Sequence, residues 1–205
     1  MKHSGRNIYH LSSVYKSLLA KNLNFKSRKS MKYPVGIQTF GQIIERGFVY
    51  VDKTDLIYSL VKEGQIYFLS RPRRFGKSLL LSTLRAYFEG KKELFAGLKI
   101  DVLEQDWHVH RVFHFDFNGG DFTLPGALQM KIEGYLHGWE KEFGIVSEVD
   151  TNLGSRFNRI LQVAAEQTGR GAVVLVDEYD KPLLDVLERD PELLDRNRDI
   201  LECRS

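Results

Sequence analysis

The chain predicts an α/β fold with a mostly parallel sheet, and three observations carry that expectation. A short apolar run, Gln65 to Ser70 (QIYFLS), passes through a basic turn into Gly76-Lys77-Ser78 and a leucine-rich helical segment. A second run, Arg111 to Phe117 (RVFHFDF), alternates and thickens like a sheet strand. A third, Ala172 to Val176 (AVVLV), is apolar without interruption and stops at Asp177-Glu178. A strand buried on both faces carries no interior polar residue, and carboxylates at its C-terminal edge stand where ligands bind in open parallel sheets.

The elements follow in order. Residues 1–30 hold seven lysines and arginines and no acid, whereas the whole chain is formally +3, so the remainder is −4. From Met31 onward, Thr39 with Gln42 makes a capping box for a short helix through Glu45, which Gly47 can end. Phe48 to Val51 runs extended. Thr54 opens a second helix whose apolar face is Leu56, Ile57, Leu60 and Val61, and Gly64 stops it. Leu79, Leu80, Leu81, Leu84 and Phe88 give the segment after Ser78 a helical apolar face closed by Gly90. Gly90 to Gly97, rich in Lys, Glu and Gly, reads as a linker. The turn Asn118-Gly119-Gly120-Asp121 ends the 111–117 strand, and helical segments Leu124 to Phe143 and Leu153 to Thr168 lead into the third strand.

The strand–loop–helix around Gly76 reads as a nucleotide phosphate-binding loop. Backbone N–H groups along such a loop and the first turn of the following helix present partial positive charge to phosphate oxygens. Arg74, Phe75, Gly76, Lys77, Ser78 and Leu79 are the residues expected to cradle the nucleotide. Lys77 would reach the β and γ phosphates, and the Ser78 hydroxyl would ligate Mg²⁺. Asp177 would hold the same ion through a water, and Glu178 would orient or deprotonate the attacking water, so Lys77 and Glu178 are the expected catalytic pair. The competing reading of Asp177-Glu178 is an acidic turn after a core strand. Arg71 stands where the G-x-x-x-x-G-K-S pattern expects its first glycine, and Pro72, Arg73 and Arg74 make the loop stiffer and more basic than usual. The three arginines are either solvated loop charges or clamps for phosphate oxygens or a polyanion.

Other chemistries are disfavoured. Cys203 is the single cysteine, which leaves no internal disulfide or multi-cysteine zinc site and points to a reducing, cytoplasmic location. His108, His110 and His114 alternate near a strand without acidic or thiol partners at zinc spacing. No run is long enough to span a bilayer, so no membrane role is expected. No N-K-x-D segment is present to read a guanine ring. Asp116 and Asp121 could hold metal or sense a γ-phosphate, and turn chemistry explains Asp121 equally well.

YPVGIQTF at 33–40, GFVYVDKTDLI at 47–57, LSRPRRFGKSLLLSTL at 69–84 and VVLVDEYDKPLLD at 173–185 together resemble the bacterial AAA-ATPase-like family. The resemblance runs from about Met31 to Leu201 and includes the arginine in place of the first loop glycine. It implies a P-loop NTPase three-layer α/β fold with ATP as the nucleotide, Gly76, Lys77 and Ser78 as its Walker A residues, and Asp177 and Glu178 as its Walker B pair. It also places Val35, Gly36 and Ile37 as candidates for the adenine contact, against an alternative role as an extended lead-in packed on the core. Members of the family continue into a polar sensor strand and often into a C-terminal nuclease-like domain. Here the last residues, Glu202 to Ser205, leave the preceding helical pattern, so the expected domain, 31–205, is incomplete at the C-terminus. Residues 1–30 are then a basic extension, read as a translation start set too far upstream in preference to a transit peptide or nucleic-acid arm.

These readings converge on binding of ATP with Mg²⁺ and hydrolysis. The alternative is a non-catalytic nucleotide-binding module or a truncated remnant of the family, because without the inserted sensor strand the sheet would have a gap or an exposed edge beside the phosphate site. A small-molecule P-loop kinase is the third reading, without an evident lid or acceptor pocket. Beyond ATP, a nucleic acid or protein partner would engage the basic loop or the missing C-terminal region, and oligomerisation is compatible with the family.

Overall fold

The computed structural model describes residues 32–70, 75–146 and 152–202. Its elements run α1 (Phe40–Glu45), α2 (Thr54–Glu63), α3 (Lys77–Phe88), a 3-10 turn (Lys92–Phe95), α4 (Lys99–Leu103), β1 (Val112–Asp116), α5 (Ala127–Phe143), α6 (Leu153–Thr168), β2 (Val173–Asp177), α7 (Lys181–Leu184) and α8 (Pro191–Leu201). All belong to the unit Pro34–Ser205.

Local chemistry sets the helix ends. Asn152 Oδ1 accepts the Ser155 N–H at 2.9 Å to open α6, and Gly169 closes it in the left-handed conformation at φ 64°. Asp190 caps α8 through the Leu193 N–H at 2.9 Å, with Pro191 in the first turn, where its missing N–H leaves no intrahelical bond unmade. The capping box expected at Thr39 does not form: the Thr39 side chain makes no cap bond. The Phe40 N–H donates to Ser82 Oγ on α3 at 2.9 Å instead, so a tertiary partner replaces the local one.

β1 and β2 form a parallel pair in register from Val112↔Val173 to Asp116↔Asp177, the arrangement that the two apolar runs predict. One side of β1 is aromatic: Phe113 packs with Leu136 of α5 and Ile160 of α6, while Phe115 joins Phe117, Phe122 and Leu128. On the other side, Val112, Val173 and Leu175 meet a core of Phe40, Leu84, Tyr87, Phe95 and Ile100. α5 and α6 are also tied by a fork of two hydrogen bonds, in which Arg156 Nε and Nη2 donate to the Glu140 carboxylate at 2.7 Å each.

Three expectations need correction. Residues 65–70 form no strand, and Ile66, Tyr67 and Phe68 are exposed. A strand is defined by its neighbours' backbone groups, and no described strand pairs with this run. The sheet of the described residues is therefore two-stranded, an α/β arrangement smaller than the one expected. Second, β2 is not buried on both faces: Val174 and Val176, which alternate with buried Leu175 and Asp177 and so share one face, are 41% and 37% exposed. Third, Gly90 to Gly97 is not merely a linker. Its 3-10 turn drives Leu94 and Phe95 into the core, Phe95 completely.

A cavity of about 1160 Å³ beside β2 has Ile66, Phe68, Val174 and Val176 among its lining. Its size exceeds the usual range of small-ligand pockets. Backbone groups on an unpaired strand edge stay exposed to water.

Candidate functional site

Two segments about a hundred residues apart in sequence meet at one end of this cavity. Gly76 precedes α3 in the left-handed conformation, φ 77°, and Lys77 is the helix's first residue. A β-carbon at position 76 would touch nothing within 4 Å, so the glycine is required by its dihedral and not by crowding. The 12-residue α3 presents its first N–H groups and the positive end of its dipole beside the Lys77 ammonium. Opposite, β2 delivers Asp177, 7% exposed, and Glu178. Lys77 Nζ lies 3.9 Å from Glu178 Oε1.

The turn after β2 has a specific construction. Asp177 Oδ1 accepts the Glu178 N–H at 3.0 Å, and the Glu178 carbonyl accepts the Lys181 N–H at 3.0 Å. Between these bonds Glu178 adopts φ 51°, one of two non-glycine residues at positive φ among those described. Such a conformation persists only where its surroundings over-determine it, and such residues cluster at functional sites. The Asp177 carbonyl accepts the Phe117 N–H at 3.2 Å, which carries the pairing with β1 past the strand end.

The other sequence candidates divide. Phe75 is exposed and Ser78 partly buried on the first turn of α3. Leu79 packs against the core, and its carbonyl accepts hydrogen bonds from Ser82 and Thr83. Arg74, with Arg71 and Arg73, lies outside the described residues. Val35 is 90% exposed, Gly36 turns at φ 74°, and the Gln38 carbonyl accepts from Ser82 Oγ at 3.1 Å, which ties this lead-in to α3. Asp116 is the register partner of Asp177, and its Oδ1 accepts the Asn118 N–H at 2.8 Å. Asp121 is engaged locally by the N–H and hydroxyl of Thr123, the turn chemistry named above.

Sequence reasoning missed Ser82, which anchors residues 38–40 on α3, and it missed the left-handed Glu178. A serine within a leucine-rich helix face was the available signal for Ser82. Nothing in the residue type announces the backbone of Glu178, since glutamate is not a left-handed former. Burial lowers the pKa of His114 on β1 most and Arg85 next, against the pull of Asp116 and Asp177. Among the described residues no three His, Cys, Asp or Glu side chains gather as a preformed metal cluster. No described helix is long and apolar enough to cross a membrane.

Comparison with known proteins adds a family. The family described as Predicted AAA-ATPase matches residues 34–203. An uncharacterized protein in the vnfD 5' region of Azotobacter chroococcum mcd 1 is 45% identical over 175 residues, 84% of this chain and 33% of that protein. The chain thus spans about a third of the length of the curated relative it matches. No solved structure matches it.

Proposed function

Given that the chain belongs to the predicted AAA-ATPase family, we propose that the start of α3 and the end of β2 form a Mg·ATP site and that this site hydrolyses the nucleotide. The observation that carries the reading is the approach of Lys77 to Glu178, 3.9 Å apart, at the helix terminus that follows Gly76. The first-turn amides and the Lys77 ammonium form an anion site matched to the β and γ phosphates. Their positive charge stabilises the negative charge spread over the γ-phosphoryl oxygens as it transfers, the largest usual source of rate in such reactions. Glu178 accepts a proton from the attacking water. That water's oxygen bonds to the γ phosphorus while the bond to the β–γ bridging oxygen breaks, giving ADP and inorganic phosphate.

Mg²⁺ fits this donor set, because it keeps several waters and takes one or two protein oxygens plus substrate phosphates instead of a cage of carboxylates. The Ser78 hydroxyl and the Asp177 carboxylate would hold it, and it would neutralise charge on the β and γ oxygens.

A second reading, nucleotide binding without turnover, draws on the unpaired edge of β2 directly before Glu178. The turn bonds fix the Glu178 backbone, but the open edge gives water access beside the base, and a site that does not exclude water stabilises the transferring charge less. Phosphate release separates the two. A folded chain that hydrolyses Mg·ATP should lose about 10²-fold or more of its rate in Glu178→Gln. Equal release by both proteins would leave the binding module as the better description.

A further inference from the structure

We propose that Lys181 is a positioning residue for hydrolysis: its ammonium ties the turn after β2, which carries Glu178, to the turn after β1. The inference rests on the hydrolysis reading and concerns a side chain away from the phosphate end of α3.

Each strand leaves the sheet through its own turn, and the two turns are joined at both ends. At the near end the Phe117 N–H donates to the Asp177 carbonyl at 3.2 Å. At the far end Lys181 Nζ donates to the Gly120 carbonyl at 2.8 Å. Glu178 lies between these two ties in sequence, and the Lys181 N–H closes its turn by donating to the Glu178 carbonyl at 3.0 Å. The same ammonium pairs with Asp185, whose Oδ2 also accepts the Phe122 N–H at 3.4 Å. On its own an i,i+4 pair of half-exposed side chains would contribute little. Here both side chains are 24% exposed, and the bond to Gly120 turns the pair into a link between elements. An ammonium has several donors, so one side chain can hold a carbonyl and a carboxylate together.

The two turns differ in what supports them. The β1 turn is seated on the core: Asn118 N–H is held by Asp116 Oδ1 at 2.8 Å, and a β-carbon at Gly120 would come within 2.4 Å of the buried Phe122 ring. The β2 turn has less of its own. Glu178 sits at φ 51°, a costly conformation for a residue with a β-carbon, and α7 after it has four residues, too few to be stable alone. Lys181 braces this turn against the seated one. From the other side, buried Asn197 of α8 donates Nδ2–H to the Pro182 carbonyl at 2.9 Å, which seats α7 beside Lys181. Lys181 thus acts through Glu178 and has no part in holding the phosphates. A base displaced by about 1 Å loses on the order of 10²-fold in rate, so loosening the brace falls on kcat, whereas affinity is set at α3.

The test uses the full chain as wild type, Lys181→Met, Glu178→Gln, the double variant and Arg156→Met, each checked for folding by circular dichroism. Phosphate release by Lys181→Met should show kcat lower by about tenfold or more, with KM within about twofold of wild type. Calorimetric affinity for a non-hydrolysable Mg·ATP analogue should likewise stay within about twofold. In the Glu178→Gln background the added Lys181→Met should change the residual rate by less than about twofold, because no base is left to position. Arg156→Met loosens α5 and α6 instead and should keep kcat within about twofold. If Lys181→Met fails to fold, Asp185→Ala frees the ammonium from one anchor and should lower kcat about threefold or more at unchanged analogue affinity. Unchanged kcat in the folded variant, an equal fall in Arg156→Met, or a further large fall in the double variant overturns the positioning role and leaves the ATPase reading standing. No phosphate release by folded wild type removes both.

Discussion

Gly76 and Gly119 both adopt left-handed backbone, φ 77° and 72°, and a β-carbon at either would meet nothing within 4 Å. Replacement by alanine therefore tests the dihedral alone, at about 1–2 kcal/mol per site. Gly76→Ala and Gly119→Ala should lose similar stability in urea, but only Gly76→Ala should also weaken nucleotide binding, because only that turn opens α3 at the proposed nucleotide site. Equal effects on binding would mean that Gly76 is ordinary punctuation. A second residue-scale expectation concerns Glu140, whose carboxyl is held low by the Arg156 hydrogen bonds first and, against burial, by nearby cationic charge. Arg156→Met strands a buried carboxylate and should cost about 3 kcal/mol by denaturation, whereas adding Glu140→Met should recover much of that loss. The Gly-Lys-Ser and Asp-Glu runs stand out in the sequence as short polar clusters bordering apolar segments, and the structure brings Lys77 and Glu178 of these runs to 3.9 Å. The Glu140–Arg156 fork does not stand out, because nothing in either helix pattern says which two charges turn inward.

At the scale of elements, β2 behaves as two faces of unequal worth. Leu175 is 7% exposed and packs with the α3 core, whereas Val176 is 37% exposed beside the open edge. Leu175→Ala should cost about 2–4 kcal/mol, and Val176→Thr less than about 0.5 kcal/mol, in urea or thermal unfolding. A cost near 2 kcal/mol for Val176→Thr would mean that the edge is covered in solution. β1, α2 and α3 were legible because each carries a period and a stop signal, and β2 because its apolar run is uninterrupted and ends at a carboxylate pair. Residues 65–70 were misread for a physical reason: a local apolar run records that a strand can form, but pairing depends on a distant neighbour. The 3-10 turn at Lys92–Phe95 was missed because Lys, Glu and Gly dominate the segment while only two residues, Leu94 and Phe95, do the packing.

Across the molecule, α2, α3 and the loop after α4 are joined at a buried carboxylate that the sequence gives no reason to expect. Glu104, 3% exposed, accepts a hydrogen bond from the Tyr87 hydroxyl and the Asp106 N–H, and Lys62 Nζ stands 3.1 Å away. Burial pushes its pKa up, but these three donors outweigh burial and hold it at about 2, while burial and Glu104 push the Tyr87 phenol upward. A depressed carboxyl pKa stabilises the fold above the unfolded value of about 4.5, and that contribution is lost as pH falls toward 2. Stability measured by urea should therefore decline from pH 5 toward pH 2, and Tyr87→Phe, which costs about 1–3 kcal/mol near neutrality, should flatten the decline. At the other end of α3, calorimetric titration of the folded chain with Mg·ATP, wild type against Lys77→Ala, tests the proposed nucleotide site. Saturable binding by wild type that is lost in Lys77→Ala is expected. Absence of binding by folded wild type at millimolar ATP, or equal binding by both proteins, would contradict it.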